Sequence, residues 1–332
     1  MDRRSVLMLG AAAFTTMAAR GESMKPDGTL PADSTEIVPL WPGTPPGGAG
    51  VSLKAQIVER SANTGLFNDR YVDHVGTPLL GVYRPDKPDG SAVLLAPGGG
   101  YRLIVLDKEG IETARRLNAS GVTVFLLRYR LPDEGWAHGA DVPLQDAQRA
   151  MRLIRAHARA FGIDAGRLGM MGFSAGGHLA ASLATHWNER VYAPVDEADQ
   201  LSAKPDFVCL LYPVVTMTVG THMGSRQNLL GLHPAPDRIA AYSCEKHVGK
   251  ETPPCFICLA ADDEAVPPDA NGIAFAAALR AAKVPNELHV FQEGNHGFGI
   301  RLAQGKPCAS WPDLFLHWGW SGGWFRDPSA AV

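Results

Sequence analysis

Beyond its first two dozen residues the chain lacks any run of roughly 18 to 20 apolar residues, so no segment of its body is expected to cross a bilayer as a helix. Runs of like charge are missing too. Lys and Arg number 31 against 34 Asp and Glu, a net charge of −3, and no basic stripe is present that would follow a phosphate backbone or an anionic membrane surface. Nucleic acid is thereby excluded as an expected partner. Cysteine is scarce, and its five copies cannot all pair within one chain. Cys255 and Cys258 have C-x-x-C spacing but lie in PPCFICLA, which reads as a buried strand, where residues three apart stand about 10 Å from each other, beyond disulfide reach. They and Cys209 read as buried apolar thiols, while the sequence leaves open whether Cys244 and Cys308 meet. No metal-ligand set, G-x-G-x-x-G or Lys-Ser/Thr phosphate loop occurs, so no cofactor is implied.

What is present begins with MDRRSVLMLGAAAFTTMAARGES, where Arg3 and Arg4 precede an apolar run from Val6 to Ala19 that ends in small residues. Residues 1–23 therefore read as an export signal of the twin-arginine kind, which implies a periplasmic or secreted protein. Residues 24–50 are rich in Pro and Gly without periodicity and read as a linker or wrapping arm. Residues 51–59 and 71–84 alternate like strands and are expected to open a sheet as antiparallel edge strands. From residue 91 the pattern changes. SAVLLAP, GVTVFLLRY, RLGMMGF, DFVCLLYP, CFICLAA and ELHVFQ are short apolar runs separated by helical stretches at 107–117, 144–161 and 270–282, as in a parallel sheet covered on both faces. The expected architecture is one α/β domain over 51–332, with an insertion at about 214–252 that sits where the strands end and a site is roofed.

The chain is organised around Gly172-Phe173-Ser174-Ala175-Gly176, a G-x-S-x-G between an apolar strand and a small-residue helix. That context is the one in which a cramped turn lifts a serine above the sheet as a nucleophile. A serine nucleophile needs a base, a carboxylate that orients the base, and donors for the oxyanion. After the strand CFICLAA come Asp262, Asp263 and Glu264, and after ELHVF comes the glycine-flanked His296, the Ser-acid-His order of α/β-hydrolases. Asp263, four residues before Pro267 in a D-x-x-V-P turn, is the expected acid, although an acid there also suits a helix cap. The loop Pro97-Gly98-Gly99-Gly100-Tyr101 brings backbone amides close to a ligand. His178, beside the serine, reads as a packed residue, as do Trp311, Trp318, Trp320 and Trp324.

APGGGY, DKEG, LLRYRLP, PLQDAQRAMRLIRAHA, GFSAGGHLAA, GSRQNLLG, TPPCFICLAADDEAVPP and ELHVFQEGNHGFG together resemble the α/β-hydrolase esterases grouped with acetyl xylan esterases and feruloyl-esterase-like lipase/esterases, over residues 37 to 325. The resemblance implies an α/β-hydrolase fold with a mostly parallel central sheet and a serine carboxylesterase that removes acetyl groups from carbohydrate such as xylan fragments. Ser174, Asp263 and His296 then fall on the triad, and Gly99, Gly100 and Ala175 on the oxyanion donors. Pro97 stands where related lipase-like enzymes carry a histidine, which leaves Gly98 with Gly99 as an alternative donor pair. Tyr101 is the expected substrate contact, stacking on a sugar face, and the implied partner is a small-molecule or oligosaccharide ester. An amide hydrolase of the formamidase or peptidase kind would use the same triad, and a hydrolase-fold binding protein would not need to retain it.

Overall fold

The computed structural model describes residues 33, 34 and 36–326. The expected export signal at 1–23 lies outside these residues.

Among the described residues eleven strands and eight α-helices follow one another along the chain. β1 (Glu36–Pro39), β2 (Gln56–Glu59), β3 (Arg70–Asp73), β4 (Leu79–Tyr83), β5 (Ala92–Ala96) and β6 (Ile104–Val105) come first. α1 (Glu112–Asn118), β7 (Thr123–Arg128), α2 (Val142–Ala156), α3 (Ala158–Phe161), β8 (Leu168–Phe173) and α4 (Ser174–His186) follow. β9 (Val208–Leu211), α5 (Met223–Leu230), α6 (Pro236–Ala241), β10 (Cys255–Ala260), α7 (Ala274–Ala281), β11 (Asn286–Phe291) and α8 (Trp311–Ser321) complete the series.

The main sheet has eight strands in the order β1-β4-β7-β5-β8-β9-β10-β11. Its first three strands pair antiparallel, and from β7 onward every pairing is parallel. The parallel strands other than β11 are apolar and buried almost throughout because helices cover both faces, whereas β11, at the sheet edge, is half-buried. Side chains alternate across a strand. In β5, Ala92, Leu94 and Ala96 belong to the buried cluster that includes Ala147, Met151 and Ile154 of α2, Leu179 of α4 and Phe275 of α7, whereas Val93 and Leu95 belong to the one that includes Leu117 of α1 and Phe315 of α8. The chain therefore has an α/β-hydrolase architecture, and the strands end together at the edge where the site is built. Among the described residues no helix is long and apolar enough to cross a membrane.

The N-terminal part of the sheet differs from the sequence expectation. β1 comes from the stretch read as linker or arm, and it pairs with β4 from Glu36↔Val82 to Pro39↔Leu79. The arm is fastened further by Leu40 and Trp41, both buried, with the Trp41 indole donating to Asp146 Oδ1 at 2.8 Å. Residues 56–59 do not join the main sheet. They pair with β3, which pairs with β6, in a separate three-stranded sheet. The stretch 71–84 is split by the turn through Gly76 and Pro78, so only its second half reaches the main sheet as β4. β2 is exposed along most of its length and could not serve as a core strand.

All five cysteines are free and buried, which settles Cys244 and Cys308 as unpaired. The C-terminal tryptophans are packing residues: Trp318 and Trp324 lie 4.8 Å apart between ring centres, and Trp324 lies 5.1 Å from Phe207.

Candidate active site

β8 delivers Ser174 to the sheet edge, and Ser174 takes a left-handed backbone conformation, φ 53°, as α4 begins. A side chain on L-residues strains that conformation, which persists only where the surroundings enforce it. The enforcement is steric. A Cβ at Gly172 would lie 2.1 Å from the Gly176 carbonyl oxygen, and one at Gly176 would lie 2.2 Å from the Ala96 oxygen, so both flanking positions of G-x-S-x-G must be glycine.

The serine is largely buried, and its Oγ lies 2.8 Å from His296 Nε2. His296 Nδ1 lies 2.7 Å from Asp263 Oδ2. The other oxygen of Asp263, Oδ1, accepts from the amides of Ala265 at 3.0 Å and Val266 at 2.9 Å. The turn-forming role and the histidine-orienting role, which compete as sequence readings, are thus shared between the two oxygens of one carboxylate. A serine, imidazole and buried carboxylate in this order can pass a proton from Oγ to Nε2 while the carboxylate stabilises the imidazolium.

Asp262 faces the other way. Its Oδ1 accepts from Gly294 N at 2.9 Å and Asn295 N at 2.8 Å, so it fixes the loop that carries His296. The two loop amides, Asn295 first, hold its carboxyl below the usual carboxylate range. Trp311 supports the same loop from beneath, its indole donating to the Gly299 oxygen at 2.8 Å.

The glycine loop is fixed at three points. Tyr129 donates to the Pro97 oxygen at 2.8 Å, Asn228 Nδ2 of α5 donates to the Gly100 oxygen at 2.8 Å, and Gly98 N donates to Glu109 Oε2 at 2.7 Å. The last contact bears on the two donor pairs left open by sequence. The Gly98 amide is already engaged, whereas among the described residues the amides of Gly99, Gly100 and Ala175 have no acceptor. Gly98 itself must be small, since a Cβ there would lie 2.8 Å from that of Ser174.

Glu109 ties this loop to the histidine. Its Oε1 accepts from the Tyr212 hydroxyl at 3.1 Å, and that hydroxyl accepts from Gly299 N at 3.1 Å. The Tyr212 ring packs edge-on against His296 at 5.1 Å. Burial, reinforced by the Glu109 carboxylate, pushes the Tyr212 phenol well up, so it remains a donor.

Tyr101 is not where a sugar could stack. It is 1% exposed, and its hydroxyl is 2.8 Å from His178 Nδ1, so the expected substrate contact is corrected to a core residue. A left-handed backbone, φ 60°, turns its side chain inward, away from the loop's open face. His178 is packed as the sequence suggests. Its Nε2 donates to the Tyr242 oxygen at 2.8 Å, which leaves Nδ1 to accept from Tyr101. Burial lowers the His178 pKa from 6.5 to about 4. Because the folded value lies below the unfolded one, the unfolded chain takes up this proton first as pH falls. The contribution is full above about pH 6.5 and is lost progressively down to about pH 4, amounting to at most about 3 kcal/mol. Replacing His178 with Gln is expected to lessen the fall in melting temperature across that window. Equal falls in both proteins would refute this assignment.

Residues 80–279 match the family model described as BD-FAE. The chain belongs to the BD-FAE family. Endo-1,4-beta-xylanase B of Butyrivibrio fibrisolvens is 38% identical to this BD-FAE chain over 245 residues, 74% of this chain and 36% of that protein. The acetylxylan esterase of Xylanibacter ruminicola is 35% identical over 230 residues, 68% of this chain and 44% of that protein. The chain thus spans less than half the length of these two curated relatives. The crystal structure of an acetyl ester-xyloside bifunctional hydrolase from Caldicellulosiruptor lactoaceticus superposes with a TM-score of 0.72 at 31% identity, over 89% of this chain and 98% of that one.

Asp262 as a loop brace, Glu109, Tyr212 and, on the insertion, Asn228 are not singled out by the sequence. Two signals were available. Glu109 and Asn228 lie within DKEG and GSRQNLLG, and Tyr212 directly follows a core strand, where functional residues of open α/β sheets gather.

Proposed function

We propose that the chain is a serine carboxylesterase that removes short acyl groups, acetyl above all, from carbohydrate such as acetylated xylan fragments. The observation that carries the reading is the continuous hydrogen-bonded path from Ser174 Oγ through His296 to Asp263 Oδ2. In this reading His296 Nε2 takes the Oγ proton as Oγ attacks the ester carbonyl. The tetrahedral oxyanion is met by the amides of Gly99, Gly100 and Ala175. Collapse expels the sugar alkoxide, which leaves with the proton from His296, and the acyl group stays on Ser174. Water, deprotonated by His296, then releases the acid and regenerates the serine. The acetyl and xylan terms draw support from the names of the Xylanibacter and Caldicellulosiruptor proteins.

The short acyl preference draws on the insertion, whose helices α5 and α6 have only eight and six residues and form no long amphipathic lid. Activity against acetylated xylo-oligosaccharides, p-nitrophenyl esters of increasing length and N-formyl amides tests the reading. Acetate esters are expected to be cleaved faster than octanoate esters. A rate that rises with acyl length would indicate a lipase, and preferential cleavage of the amides would replace the esterase reading altogether. Export to the periplasm or beyond is part of the proposal, supported by Arg3, Arg4 and the apolar run to Ala19. A reporter fused behind residues 1–30 that remains in the cytoplasm would remove that part.

A further inference from the structure

The insertion between β9 and β10 places one helix against the glycine loop, and two of its side chains have their polar ends set by backbone groups. At the start of α5, His222 Nδ1 accepts from Ser225 N at 3.1 Å and lies 2.8 Å from Ser225 Oγ. A backbone N–H can only donate, so Nδ1 carries the lone pair and the neutral ring bears its proton on Nε2. Burial above all lowers the His222 pKa below its ordinary value, which keeps the ring neutral at pH 7. On the next turn but one, Asn228 Nδ2 donates to the Gly100 oxygen. A carbonyl can only accept, so the amide of Asn228 is fixed in orientation, with Oδ1 as its free acceptor.

Both residues border Gly100. A Cβ built on Gly100 would lie 3.8 Å from His222 Cε1, the ring carbon between the two nitrogens. Among the described residues neither His222 Nε2 nor Asn228 Oδ1 has a hydrogen-bond partner, and neither is among the buried polar atoms that lack one, so both reach open space. The edge of the glycine loop therefore offers one oriented donor and one oriented acceptor. A hydroxyl group both donates and accepts, and an alkyl or aryl alcohol without further hydroxyls would leave both protein groups unanswered.

We propose that His222 Nε2–H and Asn228 Oδ1 form a specificity-determining site for the hydroxyls of the ester's alcohol portion, selecting polyhydroxylated, sugar-like esters over simple ones. This rests on the esterase reading above and names the substrate feature that the same site recognises. The acyl carbonyl is served by backbone amides, so these side chains are left to the part of the substrate that departs.

The test compares two acetate esters with rings of similar size, a mono-acetylated methyl xyloside and cyclohexyl acetate, in the full chain and in His222→Asn. Asparagine keeps an acceptor for Ser225 N at the start of α5, as N-cap residues do, while its shorter amide leaves no donor at the position of Nε2. The ratio of kcat/KM for the xyloside to that for cyclohexyl acetate is expected to fall about tenfold in His222→Asn, mainly through KM. Any loss through altered folding or a displaced glycine loop would act on both esters and cancel in the ratio. A ratio that stays within about twofold of wild type overturns the proposal while the esterase reading stands. If the wild-type chain cleaves neither ester, the esterase reading fails and this one with it.

Discussion

Replacing Ser174 with alanine is expected to lower turnover of an acetate ester by about 10³ to 10⁶, with little change in thermal unfolding. The size follows from what the residue supplies. Without Oγ no acyl-enzyme can form, and only the oxyanion donors and binding remain to assist attack by water. Stability is spared because alanine keeps the Cβ that already fits the left-handed turn, and the substitution removes only the 2.8 Å hydrogen bond to His296 Nε2. Hydrolysis at an unchanged rate by the purified variant would end the argument from the turn between β8 and α4.

The second large effect separates two adjacent carboxylates. Asp263→Asn is expected to cost about 10⁴ in rate, and Asp262→Asn to keep most activity. In Asp263→Asn the single remaining oxygen is claimed by the amides of Ala265 and Val266, which turns the new NH₂ toward His296 Nδ1. Nδ1 must then accept, the ring proton moves to Nε2, and the nitrogen facing Ser174 can no longer take its proton. At Asp262 both loop amides use Oδ1 at 2.9 and 2.8 Å, an oxygen that asparagine retains, and only the longer contact of Gly294 N with Oδ2 at 3.2 Å is lost. The reverse pattern of activities would move the orienting role to Asp262, and retention of activity by both variants would place the acid elsewhere.

The core of this arrangement is readable from sequence because it depends on local chemistry. Glycine at 172 and 176 is demanded by approaches under 2.5 Å, to the Gly176 oxygen inside the turn and to the Ala96 oxygen of β5, and the acid and histidine each follow a short strand-like run, fully buried in β10 and half-buried in β11. The six parallel strands were legible for the same reason. The edge of the sheet was not, since β1 is four residues long in a Pro- and Gly-rich stretch and owes its place to pairing with β4, a partner 40 or more residues away in sequence. Tyr101 misled in an instructive way. An aromatic after three glycines is equally suited to a ligand or to the core, and what decides is a backbone φ of 60° and a partner on α4 77 residues distant. Glu109 and Tyr212 escaped because their role is to join two loops, and neither residue's neighbours in sequence disclose the other.

The central claim, that Ser174 is the nucleophile of an acyl-transfer site, is tested most directly by covalent capture. Incubation with an organophosphate triester, followed by intact-mass measurement and peptide mapping, is predicted to add one phosphoryl group per chain on Ser174, with activity lost in step, and to add none in Ser174→Ala. Full inactivation with the adduct on another residue, or full labelling of Ser174 with activity intact, would contradict it.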